Sequence, residues 1–147
     1  MDKGIVYGLF AAAGLAVYFL LMRMLGLHDE YWLRVFNIVI VGTGLYMLLN
    51  NHIRRDHSRI GYLGSLGLGI RYTLTAVGVF ILFLALYVNV IDKGFMEELQ
   101  DATIWGTTIT PGLAVMGLLI EGVVSGMILT FVMMQFFKGY LSRQDDE

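Results

Sequence analysis

The sequence predicts an all-α polytopic membrane protein: a single domain of four transmembrane helices in an antiparallel bundle, with both termini cytoplasmic. Three observations carry this. Of the 147 residues, 57% are hydrophobic and only 15% are Asp, Glu, Lys or Arg, against about 25% charged in a typical soluble domain. Mean hydropathy is +0.70. Four long runs, residues 5–22, 35–53, 72–91 and 102–137, hold no charged side chain except Glu121 in the last. At about 1.5 Å rise per helical residue, each run approaches or exceeds the length needed to cross a hydrocarbon core of about 30 Å.

The first helix should run from about residue 4 to 25. Its three alanines, Ala11 to Ala13, lie in the middle of the apolar run, so it reads as a retained helix and not as a cleaved signal peptide. Arg23 can snorkel from its far end. After a short turn at His28, Asp29 and Glu30, the second helix spans about 31–50, opening on the interfacial aromatics Tyr31 and Trp32. Residues 51–66 form a basic connection with Arg54, Arg55 and Arg59. The third helix covers about 67–91, with Arg71 one turn inside its start. Residues 92–110 form an acidic amphipathic connection, with Glu97, Glu98 and Asp101 on one side and Phe95, Leu99, Ala102 and Trp105 on the other; such a segment lies along a membrane surface. Thr110 followed by Pro111 starts the fourth helix, since threonine caps and proline suits the first helical position. That helix runs to about residue 137.

Orientation follows from the cations. Lys3, Arg54, Arg55, Arg59, Arg71, Lys138 and Arg143 fall on one side of this topology, and Arg23, Arg34 and Lys93 on the other. Cytoplasmic segments carry the excess of Lys and Arg, so both termini and the 51–66 connection of this multi-pass protein should be cytoplasmic.

Several function classes are excluded. With no cysteine there are no disulfides, thiolate metal sites or thiol nucleophile. The three histidines, His28, His52 and His57, fall in predicted connections, so neither a haem held at membrane depth nor a metal site is expected, and His52 and His57 read as solvated. No nucleotide-binding, zinc-protease or calcium-loop motif is present, and a net charge of -2 gives no case for nucleic acid. No pair of carboxylates and no activated serine sits at one depth for acid and base chemistry. The expectation is a protein without a cofactor and without enzymatic activity.

Glu121 is the most informative residue. In a helix spanning 111–137 the midpoint is Val124, which puts Glu121 about 4 to 5 Å toward the outer side. A carboxylate there must face other helices or water and find a partner. Arg34, entering from the outer side, is the best-placed cation by depth. Glu121 is then either a proton or cation site of a small transporter, or a buried bundle residue paired with Arg34 or with hydroxyls such as Ser125. Gly122 and Gly126 form a GxxxG pair, and Gly4 and Gly8 share the same spacing, which allows close helix approach within the monomer or across a dimer. Arg54, Arg55 and Arg59 suit anionic lipid head groups or serve as a topology signal.

The stretch Asn51 to Arg59 leading into Gly61-Tyr62-Leu63-Gly64-Ser65 and Gly69, the exit Tyr87 to Asp92 followed by Phe95-Met96-Glu97, and Glu121 with Ser125 together resemble the domain of unknown function 4199 family. These are small four-helix inner-membrane proteins of Bacteroidetes-type bacteria. The resemblance covers about residues 4–140 and implies an integral membrane protein, with no activity to transfer. The sequence thus points to a non-enzymatic structural or accessory membrane component, in contact with lipid and with a homodimer or membrane-complex partner. The alternative is a small homo-oligomeric transporter or channel using Glu121.

Overall fold

The computed structural model describes residues 2–26, 31–55, 61–90, 94 and 111–144; the side chains of 31–34, 54–55, 89, 111, 114 and 140–144 lie outside that description. Among the described residues every regular element is an α-helix: α1 (Lys3–Met24), α2 (Tyr31–Arg55), α3 (Tyr62–Val90) and α4 (Pro111–Gln144). Three are long and apolar enough to cross a membrane: α1 over Lys3–Met24, α3 over Tyr62–Val88 and α4 over Val115–Gly139. The described part of α2 is diluted by Asn37, Asn50, Asn51 and His52 and does not reach that composition.

The ends of α1 are set by local chemistry. Asp2 caps it, its carboxylate accepting the Gly4 N–H at 2.9 Å, a bond that satisfies one of the donors every helix start leaves open. At the far end Gly26 takes φ +67, the left-handed conformation open to glycine, and its N–H donates to the Arg23 carbonyl at 3.2 Å. The other helices run further than hydropathy alone indicates. Helix α2 continues through Arg55, α3 starts at Tyr62 and α4 extends to Gln144. Apolar content marks the membrane core, whereas arginine and lysine are good helix formers that prolong α2 and α4 beyond it, and the added start of α3 packs Tyr62 and Leu66 against the core.

Helix α3 is central, packed between α1 and α4, while α2 touches all three. Small residues set both main interfaces. Gly4 lies against Leu68 and Arg71, and Gly8 against Tyr72 and Thr75, so α1 and α3 run parallel in constant register. Gly69 faces Thr130, Thr73 faces Gly126 and Val77 faces Gly122, so each step of four along α3 is matched by a step back of four along α4. Between lipid-exposed helices burial supplies little net drive, and close packing and hydrogen bonds hold the bundle together.

The main core gathers at the end where α1 and α3 begin and α2 and α4 finish. Leu45, Leu48, Leu49 and Ile53 of α2 pack there with Tyr72 and Ala76 of α3 and Met134 and Phe137 of α4. A smaller cluster at the opposite end joins Leu84 and Val88 to Phe19, whose ring stands edge-on to Phe80, Phe83 and Tyr87.

Candidate functional site

Several polar side chains within the bundle hold helices together. Asn51 Nδ2 donates to Tyr7 Oη at 2.7 Å, joining α2 to α1. The Tyr72 hydroxyl donates to the Val41 carbonyl at 2.7 Å, joining α3 to α2. Thr130 Oγ1 donates to the Gly126 carbonyl at 2.8 Å and lies 3.3 Å from Thr73 Oγ1. Its one proton being committed, Thr130 accepts from Thr73 and so ties α4 to α3. Thr75 turns back onto the Arg71 carbonyl at 2.8 Å. Arg71 Nη1 donates to Asp2 Oδ2 at 2.6 Å. The Thr73–Thr130 contact arises because Gly69 and Gly126, opposite the threonines, bring the backbones close enough for short side chains to reach.

Glu121 is exposed, and no described residue pairs with it. Its direction follows from helix geometry. Gly122 and Gly126 face α3, against Val77 and Thr73. Thr130, buried in that interface, is nine residues from Glu121, about two and a half turns, so Glu121 points to the opposite side of α4. Ser125, one turn on, is exposed as well. The α4 span Val115–Gly139 has its midpoint at Met127, which puts Glu121 about 9 Å from the centre, nearer the boundary than the sequence-derived helix over 111–137 indicates.

The other residues singled out by the sequence divide into groups. Gly4, Gly8, Gly122 and Gly126 all lie in contacts within the chain. The backbone of Arg34 belongs to α2, and those of Arg54 and Arg55 to its last turn; their side chains, and Arg59 altogether, lie outside the described residues, as do His28, His57 and the acidic 95–110 stretch. His52 requires a correction: it lies inside α2 and is buried, 7% exposed, where the sequence indicates a solvated loop residue. The cause is the extra turn of α2, which carries His52 and Ile53 back onto the core.

A shallow groove of about 370 Å³ runs between Ile38, Gly42 and Tyr46 of α2 and Leu129 and Met133 of α4. Its walls are apolar, and Glu121 does not line it. Among the described residues no group of three His, Asp or Glu is placed to hold a metal ion. Hydropathy reading passes over Asp2, Tyr7, Asn51 and Tyr72 as bonding residues, since each looks like an end or interfacial residue until helix register is known. Three apolar helices of this length, joined in one bundle, are compatible with a multi-pass membrane protein. No protein-family model, curated protein or solved structure matches the chain.

Proposed function

We propose that the chain is a non-enzymatic structural or accessory component of a bacterial inner membrane, with α2 as a fourth span and both termini and the 51–66 connection cytoplasmic. The observation that carries this reading is the division of polar groups. Inside the bundle Tyr7, Asn51, Tyr72, Thr73 and Thr130 are spent on helix-to-helix bonds, and the carboxylate in the α4 span faces outward. A bundle arranged this way offers a surface to another membrane component, and the groove between α2 and α4 is apolar. The resemblance to a family of small inner-membrane proteins agrees with the membrane placement, and the lipids around α4 and at the basic connection are its ordinary surroundings.

The test joins native mass and composition of the gently solubilised protein to flux measurements in proteoliposomes. The expected result is an assembly heavier than the 16.5 kDa chain and no flux under proton or cation gradients. A pH-dependent flux lost in Glu121→Gln would establish the transporter reading instead.

A further inference from the structure

We propose that His52 is a proton-responsive latch: while its imidazole is neutral the last turn of α2 stays closed on the core, and when the imidazole is protonated that turn opens. The side chain is 7% exposed, and Leu48, Leu49 and Ile53 around it on α2 are buried as deeply. The neighbouring Asn51 fastens the same stretch to α1 through Tyr7. Histidine is the side chain whose ordinary charge change falls between pH 5 and 8, so a helix end that encloses one responds to pH where its apolar neighbours do not.

Protonation alters both the charge and the hydrogen-bonding pattern of the ring. A neutral imidazole has one donor nitrogen and one acceptor, whereas the protonated ring has two donors. The contacts that the closed turn makes with the neutral ring are therefore not those that the cation requires. The charge itself must be hydrated or met by a carboxylate.

The elements packed at this end bring mainly cations. Helix α1 carries Asp2, Lys3 and Tyr7, α3 carries Tyr62, Arg71 and Tyr72, α4 carries Lys138, and α2 itself continues into Arg54 and Arg55. Asp2 is bonded to Arg71 at 2.6 Å. Glu121, the other carboxylate among the described residues, precedes Phe137 by 16 residues on α4, about 24 Å along the axis. Tyrosines stay neutral over this pH range. Ser65 of α3 stands at the level of His52: Tyr72 lies against Gly44, and a step of seven residues from each, along antiparallel helices, reaches Ser65 and Asn51. Ser65 is fully buried, and its hydroxyl carries no charge to balance a cation. The unit that opens is the end of α2 beyond Leu49. Opening takes Asn51 off Tyr7 and Ile53 off the core, and moves the start of the basic connection with Arg54 and Arg55.

Hydrogen exchange of the full-length, detergent-solubilised protein at pH 7.5 and 5.5, corrected for intrinsic rates, tests the latch. Opening of residues 50–55 should increase about tenfold at pH 5.5, the ratio for an open-state imidazole at its ordinary value of about 6.5 and a closed state that stays neutral. Residues 72–84 of α3 should change by less than about twofold, since they open separately. His52→Leu, which puts an apolar chain in the site, and His52→Gln, which keeps a polar one, should each hold the increase at 50–55 below about twofold. His28→Gln and His57→Gln should leave it at about tenfold. An increase below about threefold in the wild type, slower opening on acidification, the full increase in a folded His52 variant, or its loss in His28→Gln or His57→Gln would each overturn the latch.

Discussion

The hydroxyl oxygens of Thr73 and Thr130 lie 3.3 Å apart, both side chains fully buried where α3 crosses α4. Gly126 and Gly69 lie directly against them, so the contact exists only because those two positions lack a Cβ. The same design recurs between α1 and α3, where a Cβ on Gly8 would stand 2.8 Å from the Tyr72 carbonyl oxygen and 2.7 Å from Thr75 Cβ.

Gly8→Ala and Gly126→Ala should each therefore destabilise the detergent-solubilised protein by about 1–3 kcal/mol, the usual cost of overpacking a close contact. Gly78→Ala meets open space and should be neutral or slightly stabilising, because alanine is the better helix former. Thermal unfolding of the three variants side by side checks the contrast.

Tyr72→Phe removes the hydroxyl that donates to the Val41 carbonyl from a ring with no exposed surface. The expected cost is about 1 kcal/mol, a typical net hydrogen bond. Faster hydrogen exchange along α2 near Leu45 should accompany it, since that bond fastens α2 to α3.

The Asp2 carboxyl is held below its ordinary value of 3.8, first by the hydrogen bond from Arg71 and then by the Gly4 N–H. A lowered folded-state value means that the contact stabilises the fold above the ordinary value and is lost as pH falls through the folded one. Asp2→Asn should accordingly be less stable than the wild type at pH 7, with the gap closing below pH of about 4. Unfolding of both proteins across that range, at low salt, reads the effect; a gap that widens on acidification contradicts it.

Wild-type protein and Glu121→Gln should give the same background leak in proteoliposomes under a proton gradient, because an outward-facing carboxylate apart from the apolar groove couples nothing across the bundle. Fluorescent pH indicators trapped inside the vesicles make the comparison.

Four helices, and the start of the last at Pro111, were legible because long uncharged runs and a proline after a threonine are local signals. The turn of α2 carrying His52 and the start of α3 at Tyr62 were not, because arginines and glycines flanking an apolar run look like a connection. Their helical state depends on what they pack against, as Ile53, Tyr62 and Leu66 do in the core. The direction of Glu121 was half visible: Gly122 and Gly126 mark a packed face of α4, but only their register on Val77 and Thr73 shows that Glu121 lies away from it.

The most direct test of the membrane-spanning account is the sidedness of two positions in sealed vesicles, read with a membrane-impermeant thiol reagent on single-cysteine variants of this cysteine-free chain. Asp56→Cys should be labelled only from the cytoplasmic side and Glu98→Cys only from the opposite side. Labelling of both from the same side, or the reverse assignment, would contradict it.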